Sequence, residues 1–425
     1  MIKIYKVVIL CCLIINFSCK TNIAKSTLKS NNNLVEEILK SKPILFSDIL
    51  KNASDYNLQI VFTQIDRDKN NKPHFTEHQF NVNHTNYFYP ASTVKMPAAF
   101  LALEKINNLK ITELDKNSIL VFDSSSLKQS VVYNQPNSNN GSATIANYIK
   151  QIFMVSDNDA FNRLYEFLGQ ETINQKLHEK GYTKAEILHR LEVALTPEQN
   201  SKTNPFAFYN SEGVFLFSQT EQQNKTIFSK RNEFLGKGYM SNSKLIESPM
   251  NFSAKNRIFI DDLHHILMSV IFPESVKPNR RFNISENDRM FLLRQMSGYP
   301  SESDLPFYKS QNYWDTYAKF LFYGSEKVNP NPSLRIFNKV GDAYGHLLDV
   351  AYFVDFETKT EFFLSVIIYC NSDGILNDDK YDYDSIGFPF MKNLGQTIFE
   401  YEKLRKKKYH PNLENFKFDY SKQYN

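Results

Sequence analysis

Strand-like sequence lies at both ends of this chain, and a long helical stretch lies between. Leu58 to Ile65 (LQIVFTQI) reads as a strand, and a polar turn, Asp66 to Pro73, separates it from the partly alternating Phe75 to Val82. Far along the chain, Leu334 to Phe337, His346 to Phe356 and Glu361 to Cys370 read as consecutive strands. Between these ends, Val94 to Leu103, Ala143 to Leu168 and Ile258 to Ile271 carry apolar residues at three- and four-residue spacing. A closing amphipathic helix runs from about Pro389 to Lys406. Strands cannot satisfy their backbone groups alone, so the two ends are expected to share one sheet. The expected fold class is α/β of the α+β type: an antiparallel sheet built from N- and C-terminal strands, with a helical domain inserted. A length of 425 residues with 42% hydrophobic content supports so large a core.

The first residues point to export. Lys3 and Lys6 precede a short apolar run, Val7 to Ile15 (VVILCCLII), as in a signal peptide. Ser18 before Cys19 resembles a bacterial lipobox, in which the Cys is lipidated, although Asn16 stands where Leu is usual. An ordinary signal peptide and a retained anchor are the other readings, and all three place the body outside the cytoplasm. Residues 1–19 are therefore assigned to the signal and 20–45, rich in Lys, Asn and Ser, to a tether. Residues 46–400 are expected to form the body, with an insertion at about 197–330, and 401–425 a basic tail. Beyond the signal region only Cys370 remains, inside an apolar run, and it reads as core. Net charge is only +4, and no phosphate loop or RNA-binding motif is found, so no nucleic-acid partner is expected. No cofactor or metal is implied. His264 and His265 are adjacent and read as core or surface histidines, while Asp66 to Pro73 and Asp378 to Asp384 read as polar loops.

Three short motifs carry candidate chemistry. Ser92-Thr93-Val94-Lys95 opens a helical pattern, placing a hydroxyl and an amine on one face. A desolvated amine there can accept the hydroxyl proton and activate the serine. The motif alone says little, since Ser-x-x-Lys also occurs at Ser26, Ser125 and Ser241. Ser156-Asp157-Asn158 occurs once and suits a helix N-cap. Its functional reading makes Ser156 a proton shuttle facing Ser92 and Lys95, with the Asn158 amide meeting substrate. Lys339-Val340-Gly341 is the one Lys-x-Gly in the chain and ends a strand. Lys339 would add positive charge, and Gly341 would let substrate approach an edge strand.

In this order the three motifs resemble the catalytic signature of class A β-lactamases and penicillin-binding proteins. Tyr89-Pro90-Ala91, Val155 and Asn338 resemble the family at the motif flanks, and the 64-residue gap from Ser92 to Ser156 is close to the family's. Arg190-Leu191-Glu192-Val193-Ala194-Leu195-Thr196 is similar to the family's Arg-x-Glu-x-x-Leu-Asn loop in all but its last position. The resemblance implies a β-lactamase/transpeptidase-like fold with Ser92 as nucleophile and Lys95 and Glu192 sharing base duties. It further implies that Ser156 relays a proton and that Glu192 deprotonates the hydrolytic water. The oxyanion hole would be the backbone N–H groups of Ser92 and Asp342. The substrate would be a small molecule or a peptidoglycan fragment, and the membrane would be met through the lipid anchor.

Two departures bear on substrate. Val340 replaces the family's Thr or Ser, whose hydroxyl binds the substrate carboxylate, and Thr196 replaces the Asn that helps hold water. The 143 residues from Thr196 to Lys339 exceed the family's need. The expected function is an exported serine hydrolase acting on an amide, β-lactam-like bond through an acyl-enzyme. The alternatives are a D,D-peptidase, another amide or ester hydrolase, and a non-catalytic surface lipoprotein.

Overall fold

A computed structural model describes residues 29–30 and 34–421, apart from 127, 137, 139–140, 229 and 310–311. The expected signal segment and Cys19 lie outside the described residues. Among those described, no helix is long and apolar enough to cross a membrane.

The two ends of the chain do share one sheet. Its strand order is Lys29–Ser30, Pro73–Phe80, Gln59–Arg67, Thr360–Tyr369, His346–Asp355, Leu334–Ala343. The first pair is parallel and every other pair antiparallel. The strand Leu334–Ala343, which carries Lys339, is therefore an edge. Alternation along it sorts side chains between two cores. Phe337 joins a cluster with the helical block, whereas Ile336 and Val340 join a second cluster on the opposite face.

The helices, in chain order, are α1 (Leu34–Lys40), α2 (Pro43–Lys51), α3 (Lys95–Leu109), α4 (Ile145–Val155), α5 (Asn158–Leu168), α6 (Gln170–Glu179), α7 (Pro197–Ser201), α8 (Ile260–Ile271), α9 (Glu286–Ser297), α10 (Phe320–Tyr323) and α11 (Phe388–Leu404). The first cluster packs α3, α4, α5, α8 and α9 on one sheet face. The second packs α1, α2, α10 and α11 on the other. The molecule is thus helix, sheet, helix in layers.

Three expected boundaries differ from the structure. Residues 34–45, read as tether, belong to α1 and α2, and Val35, Leu39 and Phe46 are fully buried in the second cluster. Composition averaged over 20–45 hides this, because the polar residues before 34 dilute a short apolar face. Of the expected basic tail, residues 401–404 are the last turn of α11, and later residues among those described, which end at 421, return to the core. Arg405 pairs with Asp66, and Leu413 and Phe416 enter the core, where Phe416 meets Phe272, Phe337 and Tyr352. Within 197–330, two helices belong to the main core. Leu263, Ile266 and Leu267 of α8 and Leu292 and Leu293 of α9 are fully buried in the main core. Between residues 202 and 251 the described chain forms short strands. One of these, Phe206–Tyr209, pairs with Ile119–Phe122.

Several polar expectations are met by structural partners. His264 is buried between Thr63 and Ser365, and His265 pairs with Glu77. The Asp68 carboxylate accepts the backbone N–H groups of Asn70 and Lys72 and so closes the first hairpin turn. Cys370 is a buried free thiol, and burial pushes its pKa to about 12.

Candidate active site

Ser92 sits in a single 3-10 turn, Ala91–Val94, that runs directly into α3. Ala91 adopts φ +47°, a left-handed conformation costly for a residue with a Cβ. The turn is held by Thr93, whose N–H and hydroxyl both donate to the Pro90 carbonyl at 3.1 and 2.5 Å. Lys95 then becomes the first residue of α3, and its side chain is fully buried.

The Ser-Asp-Asn segment is a joint between two helices. Ser156 ends α4 at φ +60°, with its N–H bonded to Gln151 O. Asp157 caps α5 by accepting the Ala160 N–H at 2.8 Å. The capping reading of this motif is met. The cap sets the bend that turns Ser156 and Asn158 toward Lys95.

The three motifs converge on one hydroxyl. Lys95 Nζ donates to Asn158 Oδ1 at 2.6 Å and to Ser156 Oγ at 3.3 Å, and also to the Ser156 carbonyl. Lys339 Nζ donates to the same Ser156 Oγ at 2.7 Å and to Val340 O at 2.7 Å. Gly341 brings the edge strand against the Ser92 turn. A Cβ there would lie 3.0 Å from the Ser92 and Thr93 nitrogens and 3.2 Å from Pro90 O. Only a residue without a side chain permits that approach at no cost.

Burial sets the electrostatics. Desolvation lowers the Lys95 amine to about 7, against the upward pull of the Asp157, Asp342 and Glu192 carboxylates. Lys339 is also held well below the ordinary lysine range, first by burial and then by the Lys95 charge. Two amines whose charged forms burial disfavours share one hydroxyl, which can carry a proton between them. Asp342, at the end of the edge strand, is exposed. Desolvation raises its carboxyl pKa, and the Lys339 and Lys95 amines oppose this.

Glu192 is exposed, at φ +55°, in a loop without regular structure. Polar anchors hold that loop. Leu191 N–H donates to Asn162 Oδ1 at 2.8 Å, and Asn162 Nδ2 donates to Leu191 O at 2.9 Å. Arg190 bonds Glu166 at 2.9 Å, and Glu166 also takes Arg163 at 2.6 Å, all within the buried interior. The Thr196 hydroxyl oxygen accepts the Gln199 N–H at 3.2 Å in a capping box that starts α7. A cavity of about 490 Å³ lies behind Val193, Leu195 and Thr196.

A chain with this arrangement is similar to known proteins in the way its motifs imply. Residues 46–225 match the Beta-lactamase enzyme family. The resemblance read from the motifs is borne out. The matched region holds Ser92, Lys95, Ser156, Asn158 and Glu192, and Lys339, Gly341 and Asp342 come to it from outside through the shared sheet. No curated protein matches the chain. Among solved structures, the chain is similar to a β-lactamase from Sphaerobacter thermophilus DSM 20745, with 12% identity, TM-score 0.46, and 88% of this chain and 98% of that one covered. It is similar to a class A β-lactamase from Clostridium kluyveri DSM 555, with 16% identity, TM-score 0.47, and 84% and 97% covered. It is also similar to PBP-A, with 14% identity, TM-score 0.48, and 88% and 98% covered.

Relative to the family expectation, Val340 packs in the second apolar cluster with Ala318, Phe320 and Leu347, on the face away from α3. Asn338 also turns from the site, bonding Lys319 and Asp349. Sequence reasoning missed Asn162 and Glu166, which hold the Glu192 loop. They look like ordinary polar residues of an amphipathic helix, and no local pattern marks them. It also missed the aromatic wall of Tyr89, Tyr344 and Phe252, in which Tyr344 lies edge-on to both others at 5.1 Å.

Proposed function

We propose that the chain is an exported serine hydrolase that works through an acyl-enzyme on Ser92. The observation that carries this reading is the convergence of Lys95 and Lys339 on the Ser156 hydroxyl, beside the Ser92 turn. In acylation the Ser92 oxygen attacks the acyl carbon and its proton passes to the Lys95 amine, neutral at about pH 7. Ser156 hands a proton to the leaving group, and Lys339 replenishes it. The backbone N–H groups of Ser92 and Asp342 stabilise the oxyanion. Asn158 orients Lys95 and meets the substrate amide. Glu192 then removes a proton from the water that releases the acyl group. An amide of the β-lactam type is the first substrate class to test.

A second reading, a slow-releasing acyl-enzyme of the D,D-peptidase type, is favoured by one observation. Thr196 stands where the family has Asn, and its single short hydroxyl, whose oxygen accepts the Gln199 N–H in capping α7, offers a water beside Glu192 fewer bonds than an amide would. Labelling with fluorescent penicillin, mass mapping of the modified residue and nitrocefin turnover separate the two. Label on Ser92 with turnover supports hydrolysis, and stable label without turnover supports the peptidase. If neither a fluorophosphonate nor penicillin labels Ser92, or if Ser92→Ala labels equally, the enzyme reading is lost and the fold serves binding. Export rests on Lys3, Lys6, the apolar run and Cys19. Incorporation of labelled palmitate that disappears in Cys19→Ala tests the lipid anchor.

A further inference from the structure

The chain between the short strands and α8, residues 252–259, lies beyond the matched region 46–225, yet it touches two parts of the candidate site. Asn256 is fully buried there. Its side-chain Oδ1 accepts the backbone N–H groups of Leu188 at 2.7 Å and His189 at 3.1 Å, where the loop carrying Glu192 begins. Its backbone carbonyl accepts the Tyr87 hydroxyl at 2.8 Å. Tyr87 opens the buried run, Tyr87 to Ala91, that leads into the Ser92 turn. Neighbouring contacts repeat the pattern. Arg257 exchanges two backbone bonds of 2.7 Å with Glu186, and the Phe252 ring lies 5.9 Å from both Tyr87 and Tyr89. The His189 ring lies parallel to Tyr89, with centroids 6.0 Å apart. A buried amide oxygen that holds two N–H groups cannot shift without leaving them unpaired, so Asn256 ties the two parts of the site to each other.

We infer that Asn256 is a positioning residue, and that the Tyr87 hydroxyl acts through it to hold the Glu192 loop in register with Ser92. This rests on the serine-hydrolase reading above. The action is indirect: Leu188 and His189 set where Glu192 lies, and Glu192 serves the release of the acyl group. The Ser92 turn keeps its own ties, the two Thr93 bonds to the Pro90 carbonyl and the close approach of Gly341. A hydroxyl on the Ser92 side therefore governs deacylation and leaves acylation almost untouched.

The test compares the full-length wild type with Tyr87→Phe, which keeps the ring and loses only the hydroxyl, with Asn256→Ala, and with the double variant. Fluorophosphonate labelling of Ser92 is measured first, and its absence overturns the serine-hydrolase reading by itself. With labelling intact, labelling rate reports acylation, and loss of a fluorescent penicilloyl or aryl-ester acyl group from Ser92 reports release. Tyr87→Phe should slow release about fivefold and leave labelling within about twofold, and Asn256→Ala should slow release about tenfold. The double variant should be no slower than Asn256→Ala, because the hydroxyl reaches the loop only through the Asn256 amide. Hydrogen exchange gives a readout without turnover: amides 188–191 should exchange faster in Tyr87→Phe, while those of α11 stay unchanged. If Asn256→Ala does not fold, Tyr87→Phe decides alone by release and exchange. Unchanged release and exchange in Tyr87→Phe, equal losses in acylation and release, or losses that multiply in the double variant overturn the inference and leave the serine chemistry standing.

Discussion

At the scale of single residues, Lys95 decides how the site behaves with pH. Its amine, ordinarily near 10.5, is brought to about 7 by burial, so it is neutral and able to accept the Ser92 proton only above that pH. Acylation by a fluorophosphonate should rise about tenfold per pH unit below pH 7 and level off above it. A flat profile would remove Lys95 as the base. Stability follows the same linkage. Between about 7 and 10.5 the unfolded chain holds a proton on Lys95 that the folded one lacks, so this group's contribution rises with pH in that window and is constant below it. Gly341 gives a second residue-scale prediction. Gly341→Ala sets a Cβ against the Ser92 and Thr93 nitrogens at 3.0 Å, and backbone must shift to admit it. Overpacking of this kind costs about 1–3 kcal/mol, and a displaced Ser92 turn should lose acylation rate by more than about tenfold. Thermal melting and labelling rate measured on one sample check both.

At the scale of elements, the loop carrying Glu192 has few apolar contacts of its own and depends on α5. Asn162→Ala would leave both the N–H and the carbonyl of Leu191 unpaired inside the protein, at a cost of about 2–4 kcal/mol. The Ser92 turn lies on other elements, so acylation should change little while deacylation slows about tenfold or more. A pre-steady-state burst followed by little turnover would be the observation, and equal loss in both steps would refute it. This is also where sequence reading reached its limit. Arg190 and Glu192 were legible because the resemblance supplied a loop pattern. Asn162 and Glu166 were not, because each looks like any polar position on a helix until the loop folds over it.

At the scale of the whole molecule, the sheet ties the chain's beginning to its end. Arg67, on an N-terminal strand, holds Glu361 on a C-terminal one through two bonds of 2.6 and 2.7 Å, and the Tyr352 hydroxyl donates to the same carboxylate. All three are buried. Glu361→Ala would strand the Arg67 charge and should cost about 3–5 kcal/mol, read as a lower denaturant midpoint with an unchanged slope. The segment after α11 belongs to the same framework, which overturns its reading as a tail. Leu413 and Phe416 are nearly fully buried, and burial of side chains of their kind contributes about 1.5–3 kcal/mol each.

By itself the sequence determined the strand-helix-strand order, the candidate site residues and the family they resemble, because period and short motifs are local properties. Tertiary structure alone decided what those residues do to one another. Lys95 and Lys339 are 244 positions apart, and only the closed sheet aims both at Ser156. Only that enclosure removes the water that would otherwise favour the charged form of both amines. The reason is that burial and distance set electrostatic strength, and neither is written in any single stretch of chain.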